Sequence, residues 1–92
     1  MTSPLIIVNF KTYQGAQGPS AEQLARVMES IDTGARLVAA VSPLDLSKVV
    51  EAAPELEVWC QHLDPIGFGS NTGWIHPETA IGRGAKGTLI NH

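Results

Sequence analysis

The sequence predicts an α/β fold in which parallel strands alternate with helices. Apolar runs of strand length recur along the chain, segments with helical periodicity separate them, and the connections between the two are short. Short connections in this order imply parallel strands with right-handed helical crossovers. Chemistry in such folds is located at the carboxyl ends of the strands, so the residues that follow each strand are the first candidates for function.

The chain begins with a strand and a helix. Residues 5–8 form a short, continuous and mostly β-branched apolar run, as expected of a strand covered on both faces. Ser20 and Gln23 form a capping box, which predicts a helix that ends near Gly34. One face of this helix is apolar and carries Leu24, Val27, Met28 and Ile31.

A second strand–helix unit follows. Residues 37–41 form the second predicted strand. The next helix has Ser42 as its N-cap and Pro43 at its first position, where the missing N–H of proline does no harm, and Pro54 stops it. Its inner face carries Leu46, Val49, Val50 and Ala53.

The second half of the chain adds two strands and a short helix. Residues 58–63 form the third strand, and a long loop over residues 64–76 follows it. A short helix opens at Pro77, and residues 87–90 form the fourth strand. No linker, repeat or low-complexity stretch interrupts this order, so residues 1–92 are interpreted as belonging to one domain.

The composition excludes several classes of function. The chain is 43% apolar and 16% charged, with a net charge of −3, and its six Lys and Arg residues are scattered. Nucleic-acid binding needs basic residues that neutralise phosphates, so no nucleic-acid partner is expected. The first apolar run ends at Asn9, too short for a signal peptide or a membrane span, which favours a cytoplasmic protein without a membrane partner. Cys60 has no partner for a disulfide and is interpreted as a buried structural thiol.

Polar side chains follow three of the predicted strands. Asn9 and Lys11 come after the first strand and point the same way, with Phe10 pointing the other way, because side chains alternate across a strand. An amide and an ammonium are therefore expected together at one end of the sheet. The third and fourth strands end in similar groups, namely Gln61, His62, Asn91 and His92.

Four short segments carry a resemblance to a known family. They are VNFKTY at residues 8–13, CQHLDP at 60–65, NTG at 71–73 with Pro77-Glu78 after it, and GTLINH at 87–92. In this order and spacing they resemble the successive signatures of archaeal triosephosphate isomerases. The resemblance implies a (β/α)8 TIM barrel, of which the first four strands and three helices are present. A complete barrel takes about 250 residues, so the N-terminal portion of one incomplete domain is expected, without the family's glutamate base, closing lid and phosphate loops.

The resemblance also implies a reaction and a set of residues. The family interconverts dihydroxyacetone phosphate and D-glyceraldehyde 3-phosphate through an enediolate, in glycolysis and gluconeogenesis, with no cofactor and no metal. Lys11 would attract the phosphate of the triose and stabilise the enediolate oxygen, and Asn9 would hold that lysine and approach the substrate. His92 would be the electrophile, since enzymes of this family pair a neutral imidazole with a glutamate base. Thr72 would lie in a loop that reaches a neighbouring subunit of a homo-oligomer, a dimer or tetramer.

Two functions from different classes remain open. One is an isomerase represented by its first four strands, and the other is a catalytically silent half-barrel that associates with a complementary piece. Neither Asp64 nor Glu78 is a convincing base, and the favourable interaction of Glu78 with the helix dipole is the simpler reason for an acidic residue in a first turn. The chain alone is therefore expected to be inactive. Residues 82–87 fit G-x-G-x-x-G but lead into a strand rather than follow one, so no dinucleotide is expected. No compact metal-ligand spacing links His62, Asp64, His76 and His92.

Overall fold

The computed structural model describes residues 4–90. Three strands form one parallel sheet in the order β1-β2-β3, which confirms the predicted α/β class. No helix among the described residues is long and apolar enough to cross a membrane. A short 3₁₀ helix, Gln14–Ala16, follows β1, and the main elements in chain order are β1 (Leu5–Asn9), α1 (Pro19–Glu29), β2 (Arg36–Val41), α2 (Leu46–Ala52), β3 (Glu57–Cys60) and α3 (Pro77–Gly82).

One face of the sheet packs against the helices. Val8, Ala39 and Val58 are paired across the three strands and contribute to the core on this face. Much of the facing surface of α1 and α2 consists of small or branched side chains, which lets the helices lie close to the strands. Their fully or nearly fully buried residues are Ala21, Ala25, Met28, Leu46 and Val49.

The opposite face of the sheet carries an ion pair near the amino ends of β2 and β3. Arg36 donates to both carboxylate oxygens of Glu57 at 2.7 Å, and Trp59 Nε1 donates to Glu57 Oε2 at 2.8 Å. The hydrogen bond from Arg36 holds the pKa of the Glu57 carboxyl below its ordinary value. This cluster links two neighbouring strands at the end of the sheet remote from the predicted site.

Helix α1 begins at Pro19, so the prediction that Ser20 caps it is wrong. Gly18 occupies the N-cap position with φ +57°, and its N–H donates to Asp45 Oδ2 at 3.1 Å. The helix start is therefore fixed by a residue far along the chain, which a local capping motif cannot reveal. The helix also ends at Glu29, before the predicted stop at Gly34.

Two further predicted boundaries shift. Helix α2 begins at Leu46 rather than Pro43, because residues 43–45 form a turn in which Ser42 Oγ accepts the Leu44 N–H at 3.2 Å. Strand β3 ends at Cys60 rather than at residue 63, because the chain bends away after Gln61. Both boundaries still leave the predicted polar residues at the carboxyl end of the sheet.

The fourth predicted strand, residues 87–90, is reduced to a single parallel bridge between Cys60 and Thr88. The Lys86 N–H donates to the Val58 carbonyl at 2.9 Å, and the Cys60 N–H donates to the Gly87 carbonyl at 3.0 Å. These bonds place the segment beside β3 in the predicted position. A longer ladder needs consecutive pairs, and no strand of residues 4–90 flanks the segment on its other side.

Residues 82–87 end α3 and turn into this segment, as predicted. The turn requires Gly84, which adopts φ +106°. Its N–H donates to the Ile81 carbonyl at 3.0 Å, and the Ala85 N–H donates to the Ala80 carbonyl at 3.0 Å. This is the hydrogen-bond pattern of a Schellman helix stop, so these glycines serve the backbone rather than a nucleotide.

Candidate functional site

The carboxyl ends of the strands border an open cavity of about 350 Å³. Phe10 is 1% exposed and lies in the core, on the other side of the chain from the cavity. The structure brings Asn9 and Lys11 together as expected, although β1 ends at Asn9 and Lys11 follows it in a turn. The residues that line the cavity are Asn9, Lys11, Thr12, Gln61 and Leu89.

The backbone of Lys11 has an unusual conformation. Within residues 4–90 it is the one residue other than glycine with a positive φ, at +50°. This left-handed conformation costs an L-residue about 1–2 kcal/mol, so the surroundings must hold it. Asn9 contributes to this by accepting the Lys11 N–H on its side-chain Oδ1 at 2.9 Å.

Two glutamine side chains donate hydrogen bonds to the backbone carbonyl oxygen of Lys11. The Lys11 carbonyl accepts from Gln17 Nε2 at 2.7 Å and from Gln61 Nε2 at 3.1 Å. From the sequence, Gln61 is predicted only as a polar residue at the end of a strand. The role of Gln17 cannot be predicted from the sequence, because a contact between a side chain and a carbonyl six residues earlier leaves no periodic signal.

Lys11 lines the cavity, and its ammonium lies near an aromatic ring rather than a carboxylate. Its Nζ lies 5.7 Å from the centroid of the Tyr13 ring, a weak cation–π contact. No carboxylate of the described residues lies within 4 Å of it. A cation that is not neutralised in a concave site attracts anions, so this end of the sheet suits a negatively charged ligand.

Asp64 closes the base of the loop that follows β3. Its Oδ2 accepts the Ile75 N–H at 2.7 Å, and its own N–H donates to the Ile75 carbonyl at 2.9 Å. His62 Nε2 lies 2.7 Å from Asp64 Oδ1. The hydrogen bond from the Ile75 N–H, with His62 second, holds the pKa of the Asp64 carboxyl below its ordinary value.

Most residues at the tip of this loop, residues 67–74, are exposed. Asn71 Nδ2 donates to the Gly67 carbonyl at 2.9 Å, which folds the tip back on itself. The Phe68 ring lies 4.2 Å from the His76 ring, centroid to centroid. Thr72 is exposed at the tip, and its place in a subunit interface stays a prediction.

Acid should open the base of this loop. A carboxyl whose pKa is lowered by folding contributes stability that is complete above its unfolded pKa, about 3.9, and is lost as the pH falls through the lowered value. The protection factor of the Ile75 amide, which is its exchange rate corrected for the intrinsic pH dependence, should therefore fall below about pH 4, and in Asp64→Asn the protection factor should not change with pH in this range. Asp32→Asn, at an exposed aspartate in another loop, is the control and should behave like the unaltered chain. The same acid response in Asp64→Asn would contradict this assignment.

Comparison with known proteins decides the family. The family profile described as Triosephosphate isomerase matches residues 4–92. The chain belongs to the triosephosphate isomerase family. It is 39% identical over 94 residues to the triosephosphate isomerase of Methanothermus fervidus, an alignment that covers 100% of this chain and 42% of that protein.

Other archaeal triosephosphate isomerases give the same result. Identity to the enzyme of Methanothermobacter thermautotrophicus is 40% over 92 residues, covering 98% of this chain and 40% of that protein. Identity to the enzyme of Saccharolobus solfataricus is 37% over 93 residues, covering 100% and 41%. The chain thus spans about 40% of the length of these curated relatives.

The structure separates the residues that the resemblance to triosephosphate isomerases singles out. Asn9 and Lys11 meet at the cavity, whereas Thr72 lies in the loop after β3 and does not line the cavity. Asn91 and His92 lie outside the described residues. Within the described residues, the candidate site therefore consists of Asn9 and Lys11.

Other reactive groups of this triosephosphate isomerase family member do not join that cavity. Glu78 lies in the first turn of α3, as predicted, and the Asp64 carboxylate accepts a hydrogen bond from the Ile75 N–H within its own loop. Cys60 is buried, its Sγ donates to the His62 carbonyl at 3.1 Å, and burial raises the pKa of the thiol. Among residues 4–90, no group of three or more His, Cys, Asp or Glu side chains is placed to hold a metal ion.

Proposed function

We propose that this chain supplies two groups of a triosephosphate isomerase, namely the cation that attracts the substrate and the electrophile. The enzyme interconverts dihydroxyacetone phosphate and D-glyceraldehyde 3-phosphate. Membership of the family supports this proposal. The observation that carries it is Lys11, which lines the strand-end cavity on a left-handed backbone that three side chains hold. The proposed setting is glycolysis and gluconeogenesis.

A cation at this position serves two steps of the proposed reaction. The substrate carries a phosphate, and the charge of Lys11 draws that anion to the cavity. A base then removes a proton next to the carbonyl, and negative charge develops on the carbonyl oxygen. A fixed cation stabilises that charge more strongly in the transition state than in the ground state, which is the condition for catalysis.

Asn9 fits a role as a partner of Lys11 and as a substrate donor. Its Oδ1 already accepts the Lys11 N–H, which leaves the Nδ2 group to donate a hydrogen bond to the triose. His92 is proposed as the electrophile that polarises the carbonyl and moves protons between the two oxygens. The glutamate base belongs to the part of the family's barrel that this chain does not match.

A homo-oligomer is the proposed assembly. The exposure of Thr72 at the tip of a loop that is tied at its base supports a contact with a neighbouring subunit. Phe68 and Trp74, 80% and 57% exposed on the same loop, supply apolar surface for that contact.

The alternative function is a catalytically silent half-barrel that associates with a complementary piece. The exposure of Leu5, Ile6 and Ile7 along β1 favours it, because three consecutive apolar residues on an edge strand call for a covering partner. The two functions differ in one respect, namely whether the completed barrel turns over substrate.

A chimera tests the proposed function. Residues 1–92 of this chain replace the matching segment of the Methanothermus fervidus enzyme, which supplies the rest of the barrel. The chimera should isomerise glyceraldehyde 3-phosphate far faster than buffer, with the unaltered relative as the positive control. A chimera that folds and shows only the buffer rate would support the silent half-barrel instead.

A further inference from the structure

Two glutamine side chains from separate segments converge on the carbonyl oxygen of Lys11. Gln17 lies between the 3₁₀ helix and α1 and donates from Nε2 at 2.7 Å. Gln61 follows β3 and donates from Nε2 at 3.1 Å. A carbonyl oxygen has two lone pairs, so these donors occupy both of its acceptor positions.

Gln61 also connects Lys11 to the sheet. Its Nε2 lies 3.3 Å from Asn9 Oδ1 and 3.2 Å from the Ala40 carbonyl oxygen. Its backbone N–H donates to the Val41 carbonyl at 2.9 Å, so the residue itself is fixed to β2. The amide therefore lies where β1, β2 and the segment after β3 meet.

We infer that Gln61, assisted by Gln17, is a positioning residue that keeps Lys11 at the cavity by holding it in its left-handed conformation. This inference rests on the proposed function of Lys11. A residue in a sparsely populated backbone region stays there only where its surroundings over-determine it. Without the glutamine bonds we expect φ of Lys11 to return to negative values, so that its Cα–Cβ bond changes direction and its side chain moves away from the cavity.

A double-mutant cycle between Gln61 and Lys11 in the chimera tests the inference. Gln61→Met keeps the length of the side chain, removes its donors, and should lower kcat/KM about 10- to 100-fold, because misplacing a catalytic group by about 1 Å has effects of this size. In a Lys11→Met background the same change should lower kcat/KM less than about twofold, because the group that it positions is gone. Equal losses in the two backgrounds would show that Gln61 only stabilises the fold and would overturn the inference.

Two further variants complete the cycle. Gln23 is exposed on α1 and donates no side-chain hydrogen bond within the described residues, so Gln23→Met should leave kcat/KM unchanged. Gln17→Met removes one of the two donors to the carbonyl and should give a smaller loss that also disappears in the Lys11→Met background. This variant carries the test if Gln61→Met does not fold.

A crystal structure of the Gln61→Met chimera, or of Gln17→Met in its place, separates this inference from the proposed function. A negative φ at Lys11 supports the positioning role, and a φ still near +50° overturns it, whether or not the protein is active. An inactive chimera before any substitution, or full activity in Lys11→Met, contradicts the proposed function and leaves the crystallographic result to decide the positioning role.

Discussion

Lys11→Met in the chimera should lower kcat/KM for glyceraldehyde 3-phosphate by about 10³-fold, because removing one preorganised electrostatic group from a site of developing charge has effects of this order. Methionine keeps the length of the side chain and removes its charge. KM should rise and kcat should fall together, since the same ammonium faces the phosphate in the ground state and the enediolate oxygen in the transition state. Steady-state kinetics in both directions of the reaction measures the effect.

Lys48 provides the matched control for this substitution. Its side chain is 72% exposed on α2, paired loosely with Glu51 at 3.9 Å and remote from the cavity lining. Lys48→Met should leave both kinetic constants within about twofold, as expected of a surface pair that contributes little. Near-normal kinetics in Lys11→Met, or equal losses in the two variants, would refute the assignment.

The 92-residue chain without the rest of the barrel should show no isomerase activity and should associate with itself. No carboxylate lines its cavity among residues 4–90, and acid–base groups contribute about 10²–10⁴-fold to such reactions. Association follows from β1, whose outer edge is unpaired among the described residues and whose Leu5, Ile6 and Ile7 are 47%, 46% and 37% exposed. Covering apolar surface contributes about 25 cal/mol per Å², so a second copy or a complementary fragment is stabilising.

Light scattering at micromolar concentration, together with an assay for turnover, checks this prediction. Ile6→Lys places a charge on the exposed edge and should reduce the associated fraction, because edge lysines oppose strand pairing. Val27→Lys, at a residue 49% exposed on α1, is the control and should leave the association unchanged. A folded monomer with a cooperative thermal transition, or turnover above the buffer rate, would contradict the prediction.

The elements that could be predicted are those with local or periodic signals. Pro77 and an acidic residue in the first turn mark the start of α3, and the structure has it there. The predicted start of α1 was wrong because Gly18 is held by Asp45, a contact between distant parts of the chain. The fourth strand was predicted too long for a similar reason, since a strand is defined by its neighbours and only Thr88 forms a bridge.

The site could be predicted in part for the same physical reason. Alternation along a strand predicts Asn9 and Lys11 on one side, and both line the cavity, although β1 ends at Asn9 and a turn rather than a strand places Lys11 there. The left-handed backbone of Lys11 could not be predicted, because lysine has no preference for that region. It depends on donors such as Gln61, which is 50 residues away in the sequence and close only after folding.

A crystal structure of the chimera with bound dihydroxyacetone phosphate tests the central claim most directly. The account predicts that Lys11 Nζ lies within hydrogen-bond distance of a substrate oxygen, about 3 Å, with Asn9 Nδ2 beside it and φ of Lys11 still positive. A substrate bound away from these two residues, or a lysine that turns out to solvent in the complex, would contradict it.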